Sequence, residues 1–259
     1  PDEGWPKAHA ALTKALELDG TLPEAHLSLA AYLLVHDRNW AGAEKEIKRV
    51  VALNPKLAEI HHLYSFYFLT LGQFDDAITE GKYALEFDPL SLIYGRSLGM
   101  CLYFARRYDE AVAQYHETLE LDQNSVSVHE LLGDAYERQE RHREAIAEWQ
   151  KTAALTGDDE LAASLGRACP KGDLAGAVSE RARRGMERAS ERARMGGYVP
   201  AIGQARCWIG VGDSEQAFFW LEKACSERNA FALLLNSDPF YDSLRSDKRF
   251  VHLRELIGS

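Results

Sequence analysis

The sequence is poor in residues that interrupt helices and in residues that build crosslinks. Only 8 of its 259 residues are proline, and most of these lie between periodic segments. Its 4 cysteines form no Cys-x-x-Cys pair, which favours small buried thiols in a reducing compartment over disulfides or a zinc site. No apolar run approaches the roughly 20 residues that a membrane-spanning helix needs, so we expect no membrane association.

Motifs typical of enzymes are missing as well. The sequence contains no Gly-x-Ser-x-Gly nucleophile elbow, no phosphate-binding loop and no His-Glu-x-x-His zinc motif. We therefore predict a protein that is not an enzyme and that has no cofactor, metal or small-molecule substrate.

The amino terminus lacks both the basic and the apolar stretch of a secretory signal. This absence favours a cytoplasmic location. The chain starts without methionine and partway into a periodic segment, so we expect it to be part of a longer protein.

Acidic side chains outnumber basic ones, and the excess is confined to one part of the chain. The formal net charge is −10, from 40 acidic and 30 basic residues. Residues 1–157 hold 25 of the acidic and 15 of the basic side chains, so residues 158–259 are neutral. The negative surplus disfavours a phosphate backbone as partner. The change in charge also predicts two regions, 1–157 and 158–259, with a boundary near Gly157.

A fixed repeat is the strongest positive signal. Alanine recurs at steps of 35, 34, 34 and 34 residues, at Ala8, Ala43, Ala77, Ala111 and Ala145. A period of this length is typical of a helix–turn–helix unit that stacks on its neighbours. Arrays of such units usually present extended binding surfaces.

One repeat, residues 58–89, shows why helices are expected. Residues 58–70 place apolar and aromatic side chains at the spacing of a buried helix face. Gly72 is suited to the left-handed conformation that often ends a helix. A second helix is predicted over residues 74–86, and Pro89 disfavours its continuation.

Overlaying the repeats shows which positions they share. These positions hold Ala31, Ser65, Gly99 and Gly133; Leu34, Phe68, Leu102 and Tyr136; and Trp40, Phe74, Tyr108 and His142. Together with the alanines and two prolines, this pattern resembles the tetratricopeptide repeat family. The resemblance covers four repeats from Glu24 to Gly157 and a half-repeat before them. It implies an all-α fold, a right-handed α-α superhelix.

Residues 158–259 follow the same template less regularly. We predict two divergent helical hairpins, with an elongated helix over residues 173–195, and a C-terminal cap continuous with the array. The segment from Tyr198 to Ile257 resembles the closing segment of tetratricopeptide regions in large bacterial regulators, whose effector domain is a winged helix, a Ser/Thr kinase or a cyclase. This resemblance implies an adaptor or sensor segment that binds another protein. A structural spacer, or a module that forms a homo-oligomer, is the alternative.

The family resemblance also implies a binding groove for a protein or peptide. In that family, first-helix positions line the concave surface. The corresponding residues with binding chemistry are Tyr32, His36, His62, Phe66, Arg96, Met100, Tyr103, Phe104 and Asp134. Exposed aromatic and arginine side chains are typical interface anchors. The alternative is that neighbouring helices, or another part of the protein, cover these rings.

A second candidate surface is a row of arginines on the elongated helix. Arg181, Arg184, Arg188 and Arg192 share one face, as in helices that bind nucleic acid. Interleaved glutamates, with Glu180 placed to pair with Arg184, favour a solvated or internally paired face instead. An acidic protein partner is a further alternative, and nucleic acid is the weakest.

Histidines raise the question of a metal site. His61 and His62 are adjacent in sequence, so on a helix their side chains point about 100° apart. We therefore expect structural roles for both residues, and no shared metal.

Overall fold

The computed structural model describes residues 4–258, and most of these residues lie in helices joined by short turns. The α-helices are α1 (Gly4–Leu18), α2 (Pro23–Tyr32), α3 (Trp40–Leu53), α4 (Ala58–Thr70), α5 (Phe74–Phe87), α6 (Leu92–Phe104), α7 (Tyr108–Leu121), α8 (Val126–Arg138), α9 (His142–Leu155), α10 (Asp159–Ala168), α11 (Leu174–Arg194), α12 (Ala201–Gly210), α13 (Ser214–Ser226) and α14 (Lys248–Ile257). A π-helical turn, Leu33–Asp37, extends α2. Short 3₁₀ helices span Cys169–Lys171, Ala230–Leu234 and Pro239–Leu244.

Helix starts follow the signals in the sequence. The side chain of Asp158 accepts a hydrogen bond from the Leu161 amide at 3.1 Å and caps α10. Asp173 caps the elongated α11 in the same way, through the Gly176 amide at 3.0 Å. Each cap satisfies a backbone donor that has no partner within the helix. The predicted bounds of the elongated helix, residues 173–195, are therefore confirmed to within one residue.

The described residues form two compact units. One comprises residues 4–104 and 225–258, and the other comprises residues 105–224. The sequence boundary near Gly157 rests on charge and repeat regularity, which this division does not measure, so it stays a prediction.

The repeated alanines lie where helices meet. Ala43, Ala77, Ala111 and Ala145 are each 0% exposed, whereas Ala8 is exposed. A methyl group lets two helix backbones approach closely, and a larger side chain then fills the groove beside the contact. No helix precedes α1 among residues 4–258, so the partner that covers the other alanines is missing at Ala8.

The turn inside each hairpin places one residue in the left-handed region. Gly72 has a φ of 71°, as predicted from the sequence. The equivalent residues Arg38, Arg106 and Glu140 adopt φ angles of 54°, 60° and 59° although they carry a side chain. The turn geometry therefore repeats every 34 residues whether or not glycine is present.

Three hairpins contain the same buried histidine arrangement, which we call the His–Glu clamp. In each one, Nδ1 of a first-helix histidine contacts a second-helix glutamate at 2.5 to 2.6 Å, and Nε2 contacts the carbonyl oxygen six residues earlier at 2.9 to 3.0 Å. The clamps are His26, Glu46 and Gly20; His61, Glu80 and Pro55; and His129, Glu148 and Gln123.

Both ring nitrogens of a clamp histidine face oxygen atoms that accept hydrogen bonds. At the same register the remaining repeat holds Gly95 and Gln114. Histidine and glutamate are thus absent together, as expected if each residue is the hydrogen-bond partner of the other.

The C-terminal segment packs within the first unit. The Ser237 hydroxyl donates a buried hydrogen bond of 2.5 Å to the carbonyl oxygen of Leu69, in the last turn of α4. The Arg38 guanidinium donates to the Cys225 carbonyl at 2.6 Å. Between these contacts, the run from Ala232 to Leu235 is 0 to 2% exposed. The segment is therefore part of the apolar core of this unit.

Replacing Ala77 by leucine should overpack the helix contact. We expect Ala77→Leu to lower the free energy of unfolding by about 1–3 kcal/mol, because three extra carbon atoms must fit where no free space exists. Ala8→Leu, at the same register but exposed, should change it by less than about 0.5 kcal/mol. Urea denaturation followed by circular dichroism measures both, and equal effects would contradict the packing argument.

The clamp at His61 should make stability depend on pH. Burial lowers the pKa of His61, but its hydrogen bonds to Glu80 and to the Pro55 carbonyl outweigh this effect, and the net shift is upward. A histidine whose pKa is higher in the folded state stabilises the fold when it is protonated. This contribution is fully present below the unfolded pKa of about 6.5, and it is lost as the pH rises through the folded pKa.

We therefore expect His61→Gln to lower the free energy of unfolding more at about pH 5.5 than at about pH 8.5. His252→Gln, at a side chain that is 58% exposed, is the matched control, and this surface substitution should change the free energy of unfolding by less than about 0.5 kcal/mol at either pH. A His61→Gln effect that grows with pH would contradict the assigned direction.

Candidate functional site

Four of the predicted groove residues lie on two first helices of the first unit, and each is partly exposed. His62 and Phe66 lie on α4, and Arg96 and Met100 lie on α6. Each pair is spaced four residues apart and so shares a helix face. The His62 ring contacts α6 directly, with Nε2 at 2.9 Å from the Ser97 hydroxyl. We call these four residues the central patch.

Arg96 is the most unusual member of the central patch. Within residues 4–258 its guanidinium has no hydrogen-bond acceptor and no carboxylate at ion-pair distance, and its Nε atom is buried. Burial lowers the pKa of neighbouring His62, and the positive charge of Arg96 lowers it further. The patch therefore combines a neutral imidazole with an unpaired cation.

On one side of the central patch, α1 covers the predicted groove. The Tyr32 ring is 8% exposed and stacks on the His36 ring, with centroids 4.8 Å apart. Trp5 of α1 lies 5.8 Å from the Tyr32 ring and 5.3 Å from the His36 ring. His36 also contacts the carboxylate of Asp37 at 2.9 Å. These two residues thus already have partners from the chain itself.

At the C-terminal ends of α4 and α6 the predicted groove is buried. Tyr103 and Phe104 are 4% and 5% exposed, and their ring centroids lie 5.9 Å apart. Leu69 is 2% exposed, and its carbonyl oxygen accepts the hydrogen bond from Ser237. The surface accessible to a partner is therefore smaller than the sequence suggests. Whether the nine residues bind a ligand stays a prediction.

Asp134 lies in the second unit, inside a network of polar side chains. It is 4% exposed and accepts hydrogen bonds from Trp149 Nε1 at 3.2 Å and from the Arg206 guanidinium at 2.7 Å. A β-carbon at Gly133 would lie only 2.4 Å from Trp149 Nε1, so the absent side chain makes room for the indole. Sequence reasoning missed Arg206, because it lies 72 residues from Asp134.

The arginine row on α11 is paired within the second unit. Arg181 lies over the Trp149 ring at 3.9 Å and forms an ion pair with Glu130 at 3.3 Å. Arg184 and Arg188 form ion pairs with the buried carboxylate of Asp158 at 2.8 and 3.4 Å. The hydrogen bond from Arg184 lowers the pKa of Asp158.

The fourth arginine of the row, Arg192, is exposed. Most of the row is thus engaged with carboxylates of its own chain. This observation favours the internally paired alternative over a nucleic-acid surface.

The histidine predictions agree with the observed contacts. His61 contacts Glu80 on α5, and His62 contacts Ser97 on α6, so the adjacent rings point to different helices. Within residues 4–258, no group of three or more His, Cys, Asp or Glu side chains is arranged to hold a metal ion. The same residues contain no helix with the length and apolarity to span a bilayer. Nothing in them points to catalysis.

Comparison with known proteins agrees with the helical-hairpin architecture. Residues 96–163 match the sequence profile of the tetratricopeptide repeat family. No curated protein matches the chain at a significant level. The profile supports assignment of these repeats to the tetratricopeptide family, as the repeated positions predict.

Solved structures of tetratricopeptide proteins share the fold. PilW, a widely conserved type IV pilus biogenesis factor, is 12% identical with a TM-score of 0.56, over 95% of this chain and 92% of PilW. YrrB, a TPR protein with an unusual peptide-binding site, is 21% identical with a TM-score of 0.51, over 62% and 84%. MamA is 19% identical with a TM-score of 0.52, over 61% and 92%. The predicted fold class, an all-α tetratricopeptide solenoid, is confirmed.

Removing the charge of Arg96 should be detectable at His62. We expect Arg96→Gln to raise the pKa of His62, because a neighbouring cation disfavours the protonated ring. The pKa should still stay below about 6.5, since burial, the larger cause, remains. Titration of the histidine ring protons by NMR measures it. Lys82→Gln, an exposed change of equal charge on α5, should leave His62 unaltered, and an unchanged pKa in Arg96→Gln would contradict the assigned contact.

Proposed function

We propose that the chain is a non-enzymatic protein-interaction scaffold that binds a peptide segment at the central patch. One observation carries this proposal. An aromatic ring, a thioether and a guanidinium remain partly exposed on two adjacent first helices, at Phe66, Met100 and Arg96. Three flanking residues of the predicted groove, Tyr32, Tyr103 and Phe104, are already buried. Aromatic and arginine side chains anchor interfaces, and methionine adapts to irregular partners.

The wider setting follows from the resemblance of residues 198–257 to closing segments of bacterial regulators. On that basis the scaffold serves as the adaptor or sensor segment of a cytoplasmic signalling or transcriptional regulator. The effector domain would lie in another part of the same protein. Binding of a partner at the central patch would then regulate that effector domain.

A random dodecapeptide library displayed on phage provides a probe that does not require a known partner. Peptides selected on the whole chain should lose affinity about ten-fold or more when Phe66→Ala and Met100→Ala are combined, because truncating interface anchors typically costs more than about 1 kcal/mol each. Fluorescence polarisation with labelled synthetic peptides measures the affinities. Tyr103 is not a suitable target, since truncating a residue with 4% exposure would open a cavity.

Tyr83→Ala is the matched control. Its ring is 43% exposed and lies on α5, a second helix of the repeat, so peptide affinity should be retained. Circular dichroism and thermal melting check that the double variant still folds. Selected peptides that bind the folded double variant as tightly as the original chain would refute the site, and a library that yields no binding peptide would refute peptide binding itself.

A further inference from the structure

We propose that the central patch recognises a single carboxylate beside an apolar side chain, the carboxylate pairing with Arg96. This inference rests on the proposed function and names the chemistry of the partner. The partner segment carries one aspartate or glutamate and, close to it, one aliphatic or aromatic residue.

The first argument is the unsatisfied state of Arg96. Three arginines of the row on α11, and Arg206 on α12, lie against carboxylates. The ion-pair distances of Arg181, Arg184, Arg188 and Arg206 are 3.3, 2.8, 3.4 and 2.7 Å. The Arg96 guanidinium has no such partner within residues 4–258, although its Nε atom is buried. A partly buried cation without a partner is destabilising, and a carboxylate can satisfy it through two parallel hydrogen bonds.

The second argument is the set of groups around Arg96. His62 has a lowered pKa and contacts the neutral hydroxyl of Ser97, so neither group competes for the guanidinium as an anion. Glu59 lies on α4 one turn before His62, but it is exposed and is not within ion-pair distance of Arg96. An incoming carboxylate would therefore meet an unneutralised cation.

The third argument is spacing. Phe66 and Met100 follow His62 and Arg96 by four residues, which is about 6 Å along a helix. In an extended peptide, residues two positions apart lie on the same side and about 6.6 Å apart. A carboxylate on Arg96 would thus place the residue two positions away beside Met100 and Phe66. The expected motif is an acidic residue and an apolar residue separated by one position.

The overall charge limits the motif to one carboxylate. Residues 1–157 carry 25 acidic and 15 basic side chains, and a strongly acidic peptide would be repelled by this field. A single acidic residue within an otherwise neutral segment keeps the local pairing and avoids most of the repulsion.

Dodecapeptides selected from the phage library on the whole chain test the motif. We expect enrichment of an acidic residue two positions from an aromatic or aliphatic one. A synthetic selected peptide should bind about ten-fold more tightly than its Glu→Gln counterpart, because charge-assisted hydrogen bonds are worth more than neutral ones. In Arg96→Gln this difference should vanish, and Lys82→Gln should preserve it.

Arg96→Lys keeps the charge but loses the planar fork, so it should retain part of the preference while its helicity is unchanged. The outcomes separate the two proposals. Equal affinities for the acidic and amide peptides would overturn the carboxylate motif, as would a difference that persists in Arg96→Gln. In either case the scaffold function still stands if the selected peptides require Phe66 and Met100. Selected peptides that require neither Phe66 nor Met100 would instead overturn the binding site itself.

Discussion

Close approach of the two helices in a hairpin is the constraint on which the other features depend. Ala43, Ala77, Ala111 and Ala145 are each fully buried at this contact. That contact fixes how each second helix is rotated and displaced against its first helix. Which first-helix residues face a neighbour and which remain exposed follows from this rotation.

The two units use their charged side chains differently. In the second unit, buried Asp134 and Asp158 each hold two or more arginines, so opposite charges satisfy one another. In the first unit, the buried histidines His26 and His61 each contact a glutamate of the neighbouring helix. Arg96 belongs to neither scheme. Its isolation, rather than its charge, distinguishes the central patch.

Local features were predictable, and long-range contacts were not. The alanine period, the start of the elongated helix at residue 173 and the left-handed Gly72 depend on residues a few positions apart, so the sequence shows them directly. The covering of Tyr32 by α1 and of Leu69 by Ser237 depends on how distant segments pack. The clamps lie between these cases, because histidine and glutamate recur at the repeat period, but only the structure shows that they meet.

The turns between the helices allow an unusual freedom of sequence. A residue with a side chain at positive φ costs about 1–2 kcal/mol, yet glycine at the same place would give the unfolded chain extra freedom worth roughly 0.5–1 kcal/mol. The two effects largely offset each other at Arg38, Arg106 and Glu140. These evenly spaced turn positions therefore hold side chains of either charge within one chain, since two are arginine and one is glutamate.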